Sequence, residues 1–171
     1  MKLMIDACSL INLHKGGVLD AVLKLEAHEF FVGAFVEEES GPFLQPYYER
    51  GLLTKLSDQK VSSSAFSEIL SRYDLGFGET ECILFAVMDN ISVCSDDLKA
   101  RKAARSELGE GRVIGTLFLL RECVKSQVMT PGDARGAYEQ MRTKGAFLPD
   151  LQDGYFDIEP ADPRATSRRG T

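Results

Sequence analysis

Acidic side chains that follow short apolar runs are the most chemically suggestive feature of this sequence. Asp6 follows the run LMI, and Asp96 and Asp97 follow ISVCS. Three glutamates at 37–39 and a fourth, Glu79, stand near the start of apolar helical patterns. Carboxylates without histidine or cysteine partners are the ligands that Mg²⁺ and Mn²⁺ prefer. Acids that hold such an ion can support hydrolysis of a phosphodiester, because the ion neutralises the phosphate and activates water.

The elements that must position these acids alternate between strands and helices. Apolar runs predict short strands at 3–5, 29–32, 91–93 and 113–114, and a possible edge strand at 52–56. Helical patterns fill the intervals. This alternation predicts an α/β fold, a single domain with a central parallel sheet of about four to five strands flanked by helices on both faces.

The helix and strand ends indicate where the acids should lie. In an open parallel sheet, ligands bind beyond the carboxyl ends of the strands, and Asp6 and Asp96 are expected there. Glycines on both sides of Phe77 allow a tight turn that places Glu79 in the first turn of a helix. Thr116 is expected to cap a helix that spans 117–128.

The cysteines, the histidines and the apolar stretches bear on zinc binding and on the location of the protein. The four cysteines form no C-x-x-C pair, and His14 and His28 lie in no metal-binding motif, so a structural zinc site is not expected. Reduced cysteines, no recognisable signal peptide and no apolar stretch long enough to cross a bilayer predict a cytoplasmic protein.

Five segments resemble the sequence pattern of PIN-domain nucleases, in the order in which that family has them. The segments are DACSLINL from Asp6, AFVEEE from Ala34, GFGETECILFA from Gly76, VCSDDLKAR from Val93 and RVIGTLFLL from Arg112. The family often has a threonine near its fourth acid, where this chain has Cys94 and Ser95. The last segment resembles one branch in particular, the VapC-type toxins of toxin–antitoxin systems.

The resemblance implies a divalent-metal-dependent endoribonuclease that cuts single-stranded or structured RNA with Mg²⁺ or Mn²⁺. It aligns Asp6, Glu79 and Asp96 with the acidic positions of the family, and Glu39 with the second acid. A shift of one residue would replace Glu39 with Glu38, or Asp96 with Asp97, and both choices remain open. The residues that the resemblance implies for metal binding are therefore Asp6, Glu38, Glu39, Glu79, Asp96 and Asp97.

The net charge of −6 opposes binding of a polyanion, so an RNA substrate would need a local cationic surface. Four cations lie in the seven residues 99–105, soon after Asp97, and are predicted to contact RNA phosphates: Lys99, Arg101, Lys102 and Arg105. Three arginines near the carboxyl terminus could add contacts: Arg164, Arg168 and Arg169.

The resemblance also predicts the domain boundaries and partners. Residues 1–148 are expected to form the PIN-like domain, and 149–171 a C-terminal extension that is flexible from about 160. A small antitoxin protein and a homodimer are possible partners.

Two alternative functions follow from the same residues. One is a catalytically silent PIN-like module that binds RNA or protein. The other is a phosphatase with a strand-end aspartate nucleophile, but that class has a second aspartate two residues later, where this chain has Cys8.

Overall fold

A parallel sheet at the centre of the structure carries the helices on its faces. The computed structural model describes residues 1–57 and 61–159. The strands in those residues are β1 (Lys2–Ile5), β2 (Glu29–Val32), β3 (Thr54–Lys55), β4 (Ser92–Cys94) and β5 (Val113–Ile114). The helices are α1 (Ala7–Lys15), α2 (Leu19–Leu23), α3 (Ala34–Ser40), α4 (Gln45–Glu49), α5 (Ser63–Tyr73), α6 (Phe77–Met88), α7 (Leu98–Leu108), α8 (Thr116–Lys125) and α9 (Pro131–Thr143), with 3-10 turns at Pro42–Leu44 and Glu110–Arg112.

The order of the strands is β3-β2-β1-β4-β5, and every described pair is parallel. From β1 the chain first builds outward through β2 and β3, and then returns to place β4 on the other side of β1. The direction of winding therefore reverses between β1 and β4, which makes this gap the topological switch point of the sheet. The predicted α/β class, the parallel sheet and the edge position of the third strand are confirmed.

Helices cover both faces because right-handed crossovers place successive helices on opposite sides when the direction of winding reverses. On one side α1 packs with α8 and α9, and on the other α6 packs with α5 and α7. Leu3, Met4 and Ile5 of β1 are fully buried, as expected for a central strand covered on both faces. None of the described helices has the length and apolar character needed to cross a membrane.

The start of α3 is capped by a carboxylate from another helix. Glu81 of α6 is 1% exposed and accepts hydrogen bonds from the backbone N–H groups of Ala34 at 2.8 Å and Phe35 at 2.9 Å, with a longer one from Val36. These groups have no partner within α3, because the first N–H groups of a helix point out of its end. Gly33 leaves room for the cap, since a Cβ there would lie 2.0 Å from Cδ of Glu81.

Both predicted ends of the helix at 117–128 are wrong. Thr116 is the first residue of α8, and Gly115 occupies the N-cap position without a side-chain cap of its own. The hydroxyl of Thr116 instead donates to Asp96, which lies beyond β4. The helix also ends earlier than predicted, at Lys125.

Residues 147–159 have no helix or strand but contact the domain. Tyr138 of α9 donates to the carbonyl of Pro149, and Arg121 of α8 donates to the carbonyl of Tyr155. Phe156 is buried. The domain boundary at 148 stays a prediction, and the flexible tail expected from 160, with Arg164, Arg168 and Arg169, lies outside the described residues.

The cap on α3 predicts a large effect of a single methyl group. Gly33→Ala places Cβ inside the carboxylate of Glu81, so the helix cap must move and three backbone N–H groups lose their acceptor. We expect the free energy of unfolding, measured by urea titration, to fall by about 2–4 kcal/mol.

Gly136→Ala is the matched control, because a Cβ at Gly136 in α9 meets no atom within 4 Å. This change should raise the free energy of unfolding by about 0.5–1 kcal/mol, since alanine is the better helix former. If Gly33→Ala is as mild as its control, the cap does not hold α3.

Candidate functional site

Asp6 lies at the carboxyl end of β1 with one carboxylate oxygen bonded and one not. It is the N-cap of α1, and its Oδ1 accepts from the backbone N–H of Ser9 at 2.7 Å. The residue is 2% exposed, and Oδ2 has no hydrogen-bond partner among the described residues. Burial raises the pKa of Asp6 to about 6, against the lowering effect of the Ser95 and Ser9 side chains, and the charge of Asp96 adds to the rise.

Asp96 lies two residues beyond β4, the strand that pairs with β1. The register places Ile5 opposite Cys94, so both chains leave the sheet side by side. Asp96 Oδ2 accepts from Asn12 Nδ2 at 2.8 Å and from Thr116 Oγ1 at 2.8 Å, while Oδ1 accepts from the backbone N–H of Thr116 at 2.9 Å. These three donors hold the carboxylate in one orientation at the switch point.

Asn12 and Thr116 are site residues that the sequence did not reveal. Asn12 stands on an otherwise apolar helical pattern, and Thr116 has the form of a helix cap. Thr116 donates its hydroxyl to Asp96, the fourth acid. Thr116 lies about twenty residues after Cys94 and Ser95, which stand where the family often has threonine. The glycine at position 115 is the sequence feature that points to this contact, because a side chain there would crowd Asp96. A Cβ at Gly115 would lie 2.9 Å from Asp96 Oδ1.

Asp97 has a different environment from Asp96. It is the N-cap of α7, and its Oδ1 accepts from the backbone N–H of Ala100 at 2.7 Å. Its own N–H donates to Ser95 Oγ at 3.2 Å. Asp97 therefore caps the start of α7, whereas Asp96 contacts α1 and α8.

The two predicted glutamates meet where α3 approaches the start of α6. Glu39 Oε1 accepts from the backbone N–H of Gly78 at 3.3 Å. Glu79 follows in the first turn of α6, as predicted. Partial burial raises the pKa of Glu39, and after it the charges of Glu79 and Glu38 act in the same direction, against the hydrogen bond from Gly78. Glu37 is ion-paired with Lys55, so its carboxylate is engaged with the edge strand β3.

The thiols of two cysteines lie near acids from separate segments of the sequence. Burial raises the pKa of Cys8 to about 12, and the charges of Asp6, Asp96, Asp97 and Glu79 contribute to this rise. Burial likewise raises the pKa of Cys82 well above its usual value, with contributions from nearby acids that include Asp6, Glu81, Glu79 and Glu39. Since a charge acts appreciably only on nearby groups, each thiol lies close to acids from more than one segment.

The acids are near one another without forming a closed cage. Within 1–57 and 61–159, no three or more histidine, cysteine, aspartate or glutamate side chains are placed to hold a metal ion directly. The orphaned Oδ2 of Asp6 and the oxygens of Asp96 nevertheless fit a hard divalent cation, because Mg²⁺ binds through one or two carboxylates and keeps several waters.

The cations predicted to contact RNA have unequal surroundings on α7. Arg101 donates through Nη1 to the carbonyls of Ser95 and Ile114, both at 2.7 Å, and so ties together the ends of β4 and β5. Lys99 is ion-paired with Asp74, and Arg105 with Glu110 at 2.9 Å. Lys102 is exposed.

The fold and the acids define a class: a parallel α/β domain with a carboxylate-rich site at its topological switch point. The family model described as a PIN domain matches residues 2–152, which is most of the chain. The chain therefore belongs to the PIN-domain family, whose members are generally nucleases that use divalent metals. Searches of the curated proteins and of the solved structures gave no significant match.

The raised pKa of Asp6 predicts a pH dependence of stability in metal-free protein. A carboxyl whose folded pKa is about 6, against 3.8 unfolded, favours the folded state fully below about pH 4 and loses that contribution as the pH rises through 6. Asp6→Asn removes the titration and can still cap α1. With chelator present, we expect the variant to be up to roughly 3 kcal/mol more stable than the wild type at pH 7.5, by urea titration.

The difference between the two proteins should shrink towards zero as the pH falls from 7 to 4. Asp89→Asn, a change at an exposed position at the end of α6, is the control and should follow the wild type at every pH. An Asp6→Asn protein that is less stable than the wild type at pH 7.5 would contradict the assignment of an unfavourable buried charge.

Proposed function

We propose that this chain is an endoribonuclease that depends on Mg²⁺ or Mn²⁺ and cuts single-stranded or structured RNA. The observation that carries the proposal is the buried, unpartnered Oδ2 of Asp6 beside a second acid, Asp96. An unpaired carboxylate in such a place destabilises the folded protein, and a bound cation removes that cost. The membership in a family of nucleases supports phosphodiester hydrolysis as the reaction.

Each acid takes a role that suits its surroundings. Asp6 and Asp96 hold the cation, because they follow neighbouring strands and Asp96 is oriented by Asn12 and Thr116. Glu79 would hold the ion or orient the attacking water, and Glu39, whose pKa is raised in part by the charge of Glu79, would hold a second ion. When bound, the cation neutralises the scissile phosphate and lowers the pKa of water.

The choice between neighbouring acids follows from their contacts. Glu39 rather than Glu38 is proposed as the metal ligand. Glu39 accepts a hydrogen bond at the start of α6, and the charge of Glu79 helps to raise its pKa. Asp96 rather than Asp97 is proposed, since Asp97 caps α7.

The cations on α7 are proposed to bind the flanking RNA phosphates. Lys102 is exposed, and the surface ion pairs of Lys99 and Arg105 are weak enough for a phosphate to replace them. Arg101 contributes its charge while it holds the strand ends. This local surface offsets the net charge of −6 where the substrate must lie.

The proposal predicts that cleavage and metal binding are lost together. Asp6→Asn should reduce cleavage of a labelled RNA by more than about 100-fold, beyond the loss typical of residues that only support a ligand. Mn²⁺ should raise the melting temperature of the wild type in chelator-treated buffer and leave that of the variant unchanged. Excess chelator should stop the wild type, and added Mn²⁺ should restore it.

Neighbouring acids provide matched controls. Glu39→Gln should slow cleavage strongly and Glu38→Gln weakly, and Asp96→Asn should be more damaging than Asp97→Asn, in which the amide can still cap α7. Cleavage that continues in chelator would contradict the metal-dependent mechanism. A folded wild-type protein that binds RNA without cutting it would instead support the catalytically silent module.

We further propose that the chain is a cytoplasmic toxin whose partner is a small antitoxin protein, and that it can form a homodimer. The support is the resemblance of the segment that begins at Arg112 and the match of one family model to most of the chain. Induced expression in a bacterial host should arrest growth, and Asp6→Asn should grow normally at the same protein level. Co-expression of a small gene adjacent to the one for this chain should restore growth. Normal growth with active wild-type protein would refute the toxin role.

A further inference from the structure

A groove with a volume of about 550 Å³ opens directly beside Asp96. Its walls come from the start of α7, the start of α8 and residues 147–155. The volume lies within the range of about 300–1,000 Å³ that small-molecule and cofactor sites occupy. A ligand in the groove would therefore lie next to the proposed cleavage site.

Aromatic side chains line the groove. Phe147 lies on its wall with 87% of its surface exposed. Tyr155 faces the same space and is held by Arg121, whose guanidinium lies 5.0 Å from the ring centre and also donates to the Tyr155 carbonyl at 3.0 Å. Leu98, which also lines the groove, is 69% exposed. Large apolar side chains this exposed, gathered at one place, mark a binding surface.

The groove also carries positive charge, which selects among possible occupants. Arg101 and Arg105 line it together with the aromatic residues. Arg105 is paired with Glu110, which is 84% exposed, so the pair is weak and open to exchange. A purely apolar ligand would cover these guanidinium groups without supplying charge, whereas a nucleotide supplies a flat base and a phosphate.

We propose that this groove binds an unpaired RNA base next to the cleaved phosphate, with the base stacked on Phe147 and Tyr155 and its phosphate near Arg105. The inference rests on the proposed ribonuclease function and deepens it. Sequence-tolerant recognition of single strands works in this way, because every base has a face that can stack on an aromatic ring. The groove then favours unpaired regions of RNA and sets the position of the cut relative to the held base.

The test measures RNA binding without cleavage. Fluorescence anisotropy of a fluorescein-labelled pool of single-stranded RNA hexamers, in excess chelator, gives the Kd for each variant. Phe147→Ala should weaken binding by about 5- to 100-fold, the effect of losing one base–aromatic stack. Phe147→Trp should bind as the wild type does. Phe147 is so exposed that these changes should leave the urea unfolding curve unchanged.

Two variants separate stacking from other contacts. Phe147→Leu keeps an apolar side chain but removes the ring, so it should bind RNA as poorly as Phe147→Ala. Val128→Ala, a change at another exposed apolar residue that lies outside the groove, should have no effect. Equal Kd values for Phe147→Ala and the wild type, or wild-type binding by Phe147→Leu, would overturn the proposal, and the second result would show that an apolar contact without ring stacking is enough to bind RNA.

The outcomes also separate this inference from the ribonuclease proposal. If the wild type binds RNA but does not cut it in Mn²⁺, while Phe147→Ala binds weakly, the nuclease is refuted and the stacking groove stands. If the wild type cuts RNA and Phe147→Ala binds equally well, the groove is refuted and the nuclease stands. A wild type that neither binds nor cuts refutes both. Where cleavage occurs, mapping of the cut ends on structured RNA should show that Phe147→Ala loses the preference for an unpaired nucleotide at one flanking position.

Discussion

The buried carboxylate of Asp6 is the constraint on which the site depends. One oxygen is used to start α1, and the other is buried without a hydrogen-bond partner among the described residues. Burial and the charge of Asp96 both disfavour its ionisation, so the folded chain carries an electrostatic cost at neutral pH. The cost persists because the surrounding elements are held by other interactions, and a divalent cation is the kind of ligand that would remove it.

Those other interactions are reciprocal bonds between the elements that carry the acids. Glu81 of α6 caps the start of α3, while Glu39 at the end of α3 accepts from the start of α6. Asp96 receives donors from α1 and α8, so it links helices that follow two different strands. Glu39, Glu81 and Asp96 are therefore each positioned by a segment distant in sequence.

Positive charge is concentrated on α7 in a protein whose net charge is −6. The carboxylates occupy the carboxyl edge of the sheet, and the cations of α7 begin one turn further along the chain. Arg101 donates hydrogen bonds to the carbonyls at the ends of β4 and β5. Lys102 is exposed, and Lys99 and Arg105 form ion pairs at the surface. The groove that Phe147 and Tyr155 line lies beside Asp96 and includes Arg101 and Arg105.

The sequence by itself determined the α/β class, the parallel sheet, its central strands and the membership in the PIN-domain family, because these follow from local periodicity and from motifs in a fixed order. It also indicated Asp6, Asp96 and Glu79 as acids at element ends. Only the tertiary structure decided that Thr116 and Asn12 donate hydrogen bonds to Asp96. It also decided that Asp97 and Glu81 cap helices. Finally, it placed Phe147, Tyr155 and Arg105 around one groove. A cap residue and a site residue look alike locally, and the packing of distant segments settles which partner each side chain meets.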